Sequence, residues 1–276
     1  MAKPSAAVEM AKNYYDSADA DTFYALIWGG EDIHIGLYQG ANDDIAAASQ
    51  RTIAHMAKQL SVKPEAHILD LGSGFGGASR YLASNHGAHV TALNLSSVEN
   101  ERHRQLNERT GLSDSITIID GNFEDIPCPD EHFDIVWSQD AILHSDTRET
   151  VLREVDRVLK KKGQFIFTDP MQSDTCPEGV LQPILDRIHL TSLGSPRFYR
   201  TSTSELGWTE RSFEELTDQL VNHYQRVLDE TIRLEVVLHK SVDPDYVERM
   251  KKGLRHWVAG GQAGHLSWGI FHFEKA

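Results

Sequence analysis

The 276-residue chain predicts a doubly wound α/β fold, a parallel sheet with helices on both faces. Two observations carry that expectation. Between about residues 67 and 168, short apolar runs alternate with stretches of helical spacing. The first of those runs also leaves through a glycine turn, Asp70-Leu-Gly-Ser-Gly-Phe-Gly76, and passes straight into a helical stretch.

The elements follow in order. Ser5 to Ile27 has helical spacing, interrupted between Asp16 and Asp21. Trp28 to Gly40 holds four glycines and reads as irregular. Asn42 suits an N-cap for a helix from Asp43 to Leu60, whose Ile45, Ala48, Ile53, Met56 and Leu60 share a face. His67–Gly72 is the first strand and its turn, followed by a helix to His86. Ala88–Leu95, Ser115–Asp120, Phe133–Ser138 and Gln164–Thr168 are the next strands. Helices are expected over Ser97–Arg109 and Asp146–Leu159, the second stopped by Lys160-Lys-Lys-Gly163. Glu178–Leu190 is helical, Gly194–Arg200 a loop, Glu214–Leu238 and Pro244–Val258 helices, and Leu266–Phe273 a last strand. The organisation expected is a helical cover over residues 1–60, a core over 61–175, and an insertion with the final strands over 176–276.

Composition narrows the function. A net charge of −14 opposes binding to nucleic acid or an anionic membrane, because phosphates need a basic surface. The acidic surface reads either as ordinary solvation or as adaptation to a salty cytoplasm. No apolar run approaches the roughly 20 residues of a membrane span. The first residues lack the apolar stretch of a signal peptide, and two cysteines outside any disulfide pattern make a reducing cytoplasm the expected location. Cys128 and Cys176 stand outside any C-x-x-C pair, and there is no H-E-x-x-H; neither a disulfide scaffold nor a metal is expected.

The glycine turn differs from the dinucleotide G-x-G-x-x-G. Asp70, immediately before it, would oppose a pyrophosphate and suits a cationic ligand. Ile68-Leu-Asp-Leu-Gly-Ser-Gly-Phe-Gly-Gly77 resembles motif I of class I S-adenosylmethionine-dependent methyltransferases. Ala92-Leu-Asn-Leu-Ser96, Gly121-Asn-Phe-Glu-Asp-Ile-Pro127, Phe133-Asp-Ile-Val-Trp-Ser138 and Leu159-Lys-Lys-Lys-Gly163 resemble that family's later blocks in order and spacing. The resemblance implies a Rossmann-like sheet of seven strands, the last antiparallel. It also implies S-adenosylmethionine as methyl donor, with S-adenosylhomocysteine as product. Asp70, Gly72, Ser73, Gly74, Gly76, Asn94, Leu95, Asn122, Phe123 and Gln139 would then line the donor site. Asn94 and Asn122 stand where the family usually carries acids. An amide still bonds a ribose hydroxyl but without charge assistance, so Asn94→Asp is expected to tighten donor binding. Phe123 suits either packing on an adenine or the core.

A finer resemblance spans nearly the whole chain. Trp137-Ser-Gln-Asp-Ala-Ile-Leu-His-Ser145, Thr168-Asp-Pro-Met171, the Tyr24–Tyr38 stretch and the closing His256–Gly269 stretch are similar to sarcosine/dimethylglycine methyltransferases. These finish glycine betaine synthesis. Phosphoethanolamine methyltransferases share the Asp-Ala-Ile-Leu-His block, and their tyrosine and histidine match Tyr24 and His144. The resemblance therefore implies Tyr24, His144 and Asp140 at the reacting centre.

An amine acid presents a carboxylate, which calls for arginine, and an ammonium, which prefers aromatic faces. Arg200, flanked by Phe198 and Tyr199, is the favoured carboxylate partner and Arg187 the second candidate. Trp28, Tyr24, Tyr38 and Trp137 are candidates for the cage, and Met171 for the wall. His144 reads alternatively as a polar lead into the helix after it. A phosphobase or a quinol-like acceptor, and a binding scaffold without chemistry, remain as other readings. The chain is expected to act as a monomer or homodimer on a small molecule.

Overall fold

The computed structural model describes residues 10, 12, 14, 16–40 and 43–276. Five strands run parallel: β1 (His67–Leu71), β2 (His89–Asn94), β3 (Ile116–Asp120), β4 (Phe133–Gln139) and β5 (Leu159–Thr168). A short strand β6 (Met171–Gln172) follows. Then come β7 (Thr209–Glu215), a two-residue β8 (Leu266–Ser267), and β9 (Gly269–Glu274). The main sheet has seven strands in the order β3-β2-β1-β4-β5-β9-β7, with β9 antiparallel to both neighbours. β6 and β8 form a separate two-stranded ladder.

The helices are α1 (Ala18–Ile27), α2 (Ile45–Lys58), α3 (Gly77–His86), α4 (Ser97–Thr110), α5 (Arg148–Val158), α6 (Gln182–Ile188), α7 (Pro196–Glu205), α8 (Thr217–Arg233), α9 (Glu235–Leu238) and α10 (Pro244–Gln262). The central strands read as unbroken apolar runs because both faces of the sheet are covered. Successive side chains divide between the faces: Leu69, Val136 and Phe167 enter one core, Ile68, Ile135 and Ile166 the other. A third cluster joins Phe23, Ile27 and Trp28 to Val227, Leu228 and Met250. The N-terminal cover is therefore packed on α8 and α10 of the C-terminal third.

Several sequence expectations change. The polar strand β7 falls outside the elements expected from sequence, except for Glu214 and Glu215 at its end, which the expected helix claims. Thr209-Glu-Arg-Ser-Phe-Glu-Glu215 has no apolar run because it is the sheet's edge, where charge discourages further pairing. The helix expected from Glu214 begins instead at Thr217 and breaks at Leu234. Gly194–Arg200 is not a loop throughout. Ser195 accepts a hydrogen bond from the Phe198 N–H and Pro196 occupies the first turn, so α7 starts there. The lysine stop after α5 already belongs to β5, which begins at Leu159. Trp268 divides the last strand into β8 and β9. The N-cap role given to Asn42 falls outside the described residues; Asp44 precedes α2 and makes no side-chain cap bond.

Candidate active site

A groove crosses the carboxyl ends of β1 to β4, the end at which open α/β sheets bind ligands. Gly72 and Gly74 form its floor after β1, with φ of +78° and +51°. A Cβ on Gly72 would stand 2.4 Å from the Cβ of Ala141, so only glycine lets the β1 and β4 turns approach. Asn94 and Leu95 border the groove after β2, Asn122 and Phe123 after β3, and Gln139 after β4.

Asp70 does not border this groove but, with Ser73, lines a small space that adjoins it past the glycine turn. Asp70 is buried and accepts a 2.6 Å hydrogen bond from Ser79 Oγ, which ties the glycine turn to α3. Gly76 is also structural: it caps α3 at φ +79°, and a Cβ there would overlap His103.

The groove at β2 holds a carboxyl that sequence reading missed. Glu99, in the first turn of α4, borders it and accepts a 2.9 Å hydrogen bond from Asn94 Nδ2. Burial pushes the Glu99 carboxyl up to about 7, against the lowering effect of Asn94. Ser96-x-x-Glu99 reads as a helix capping box, and Ser96 does cap Glu99 N–H. That local explanation hides a carboxylate standing five residues from the position where one was sought.

A second cavity opens beyond Ile33, Asp140 and His144, which border both spaces. Aromatic rings wall it: Tyr24 and Trp28 with centroids 4.9 Å apart, Tyr224 and Trp257 stacked at 5.0 Å. Arg187 borders it from the last turn of α6. A Cβ at Gly253 would lie 2.2 Å from Arg187 Cδ, so the bare backbone of α10 makes room for the arginine stem. Arg187 Nη2 is 2.6 Å from Met250 Sδ, and no carboxylate pairs with the guanidinium among the described residues. Burial, then the Arg148 and Arg187 charges, hold His144 down at about 4, so it is neutral at pH 7.

Asp140 acts as a latch. Its Oδ2 accepts from Ile35 N–H and its Oδ1 from Trp268 Nε1–H, both at 2.7 Å. Asp140 itself takes φ +52°, which turns its carboxylate between the N-terminal cover and the last strands.

Five expected acceptor contacts are corrected. Trp137 is fully buried among the helices on one sheet face, and its Nε1–H donates to Gln139 Oε1. Met171 is buried in the opposite core. Tyr199 is also core, and its hydroxyl donates to Asp169 Oδ2 at 2.6 Å. Arg200 is exposed, bonded through Nε and Nη2 to Glu210 and laid over Phe213. Tyr38 stands one layer behind the cavity, its hydroxyl 2.9 Å from His223 Nδ1. His34, to which the sequence gives only a weak claim, borders the cavity, and so do Tyr14, His223, Tyr224 and Trp257, which were missed. Their positions come from helices far apart in sequence, and only the resemblance of the closing stretch pointed toward Trp257.

The groove fits the donor that the motifs imply. Its glycines leave a backbone floor, Glu99 and Asn94 offer acceptor and donor groups at one end, and the Gln139 amide is turned by Trp137 so that Nε2 is buried without a partner. Sheet order, glycine turn and groove together define a class I methyltransferase, and residues 69–167 match the family described as a methyltransferase domain. Over 270 residues the chain is 55% identical to a sarcosine/dimethylglycine N-methyltransferase of Halorhodospira halochloris, covering 98% of this chain and 97% of the relative. It is 50% identical to the enzyme of that name from Aphanothece halophytica, over the whole of both. A crystal structure assigned to a sarcosine dimethylglycine methyltransferase from Galdieria sulphuraria superposes with a TM-score of 0.88 at 42% identity, covering 94% of this chain and 98% of that one. The chain belongs to the sarcosine/dimethylglycine N-methyltransferases.

Proposed function

We propose that the chain transfers methyl groups from S-adenosylmethionine to the nitrogen of sarcosine and N,N-dimethylglycine, ending at glycine betaine, in the cytoplasm. The observation that carries this reading is Arg187: a guanidinium without a carboxylate partner among the described residues, on an aromatic-walled cavity that meets the donor groove. Such a cavity suits a small molecule with a carboxylate at one end and an ammonium at the other. No helix among the described residues is long and apolar enough to cross a membrane.

Bound in the groove, S-adenosylmethionine supplies a methyl group already activated by its sulfonium, so the chain's work is orientation and exclusion of water. Arg187 holds the acceptor carboxylate. The Tyr24 and Trp28 faces hold the nitrogen as it becomes quaternary. His144, neutral at pH 7, accepts the N–H of sarcosine, or takes the proton of an acceptor that arrives as its ammonium and so frees the lone pair that attacks; free dimethylglycine has no N–H to offer it. Asp140 keeps the cover in place over both cavities. Ser73, Gln139, Asn94 and Glu99 hold the donor, with Glu99 on its ribose.

The direct test gives labelled donor with a panel of amine acids, phosphobases and quinols, products being identified by mass spectrometry. Trimethylated glycine should form from sarcosine and dimethylglycine. No such product at any pH would overturn the reading. The kcat/KM for dimethylglycine should rise with pH on the alkaline side as the free amine loses its proton. His144, already neutral above about 5, should add no step in that range.

Glu99 gives a separate expectation. An ionised carboxylate accepts hydroxyl bonds, so affinity for S-adenosylhomocysteine should rise as pH passes through about 7. Glu99→Gln should weaken binding by about tenfold and flatten that dependence. The expectation for Asn94→Asp now reverses sign. Its carboxylate would stand against Glu99 at the present 2.9 Å contact, so calorimetry should show weaker donor binding.

A further inference from the structure

His144 reaches the border of the two cavities from a single 3₁₀ turn, Ile142–His144, after β4. Such a turn is short and its hydrogen bonds are poorly aligned, so it does not fix a side chain by itself. Two buried charged side chains hold it from behind. The Leu143 N–H donates to Asp169 Oδ1 at 2.8 Å, and the Leu143 carbonyl accepts from Arg148 Nη2 at 3.1 Å. Both backbone groups of the residue before His144 are therefore taken by side chains from other elements.

Each of those side chains is held in turn by the segment that leads into α7. The Tyr199 hydroxyl occupies Asp169 Oδ2 at 2.6 Å. Arg148 Nη1 donates to Ser192 Oγ at 3.2 Å, and its Nη2 also reaches the Ser192 carbonyl. Gly194 stands between them: a Cβ there would lie 2.9 Å from the Tyr199 ring. Sheet register supplies the other half of the arrangement. Gln139 of β4 pairs with Thr168 of β5, so Asp169 emerges beside the turn that carries His144. Leu143, His144 and Pro170 border the acceptor cavity, whereas Arg148, Asp169, Ser192 and Tyr199 border neither it nor the donor groove.

Packing alone does not call for this network. The Tyr199 ring lies against Phe167 and Phe271, with centroids 4.9 and 5.9 Å away, a setting that phenylalanine would fill. Burying a carboxylate and a guanidinium costs free energy that a well-packed apolar pair would not. What the polar groups add is a fixed place for one backbone unit. We propose that Asp169, Tyr199 and Arg148 are positioning residues of methyl transfer, which act through the Leu143 backbone to fix the His144 imidazole and tie it to the 192–199 segment. The inference rests on the reaction taking place beside His144.

A double-mutant cycle read on sarcosine tests it. Tyr199→Phe removes one hydroxyl and should lower the single-turnover rate of methyl transfer about tenfold, because small misplacements of a reacting group are costly. The KM for sarcosine and the affinity for S-adenosylhomocysteine should stay within twofold. In a His144→Ala background the same substitution should change the rate less than twofold, since the group it positions is gone. Nuclear magnetic resonance of protein isotope-labelled at histidine Cε1 gives a readout without turnover. The His144 signal, identified by its absence in His144→Ala, should shift in Tyr199→Phe, while that of His67, at the opposite end of β1, stays in place. Asp169→Asn carries the same cycle should Tyr199→Phe fail to fold, because the amide keeps the shape and loses one acceptor. An unchanged rate in Tyr199→Phe would overturn the inference. So would a tenfold loss that persists on top of His144→Ala, or an unmoved His144 signal. A wild type that methylates no amine acid would instead overturn the functional reading beneath it, and the His144 signal would still decide the positioning.

Discussion

Arg187→Ala should lower kcat/KM for dimethylglycine by a factor of hundreds while leaving S-adenosylhomocysteine affinity nearly unchanged. The size follows from losing one charge-assisted, two-pronged contact at a partly buried arginine, about 3 kcal/mol. Arg187→Lys should recover only part of the loss, because an ammonium cannot hold both carboxylate oxygens as a planar fork does. Arg200→Ala should leave both constants within twofold, since that side chain spends its donors on Glu210 at the surface. Steady-state kinetics with each substrate varied separately reads all three. Normal dimethylglycine kinetics in Arg187→Ala would remove the carboxylate contact from this cavity.

The second large effect belongs to the glycine turn. Gly74→Val should reduce S-adenosylhomocysteine affinity at least a hundredfold in a protein that still shows a cooperative thermal transition. Gly74 holds φ +51°, a region that β-branched side chains adopt at a cost of about 1–3 kcal/mol. A Cβ there would also stand 3.1 Å from Ile33 Cδ1, and the valine methyls would reach farther. Ile33 borders both cavities, so the strain falls on the donor floor and on the wall shared with the acceptor. Calorimetry showing unchanged affinity would remove the donor from this turn.

The two effects differ in how they are found. Gly74 is visible in sequence because its neighbours along the chain explain it: a strand before, a helix after, and a turn that only glycine makes easily. Arg187 and Arg200 look alike by that measure, since each follows a helical or aromatic stretch in the same third of the chain. Glu99 was legible as a capping residue and illegible as a groove residue, because both roles use the same position in α4. β7 escaped for a different reason: an edge strand of mostly charged residues lacks the period that marks a half-buried one.

Sequence by itself determined the parallel core, its glycine turn, the donor class and the family, because strand burial and turn geometry are set by residues a few positions apart. Only the tertiary structure decided which charges face the ligands. A long side chain takes its partner from whatever element packs beside it: Glu210 for Arg200, Gly253 and Met250 of α10 for Arg187, Ile35 and Trp268 for Asp140. Asp140's partners lie more than a hundred residues away along the chain. No periodicity within a strand or helix carries information over that distance; the packing of the cover against α8 and α10 supplies it.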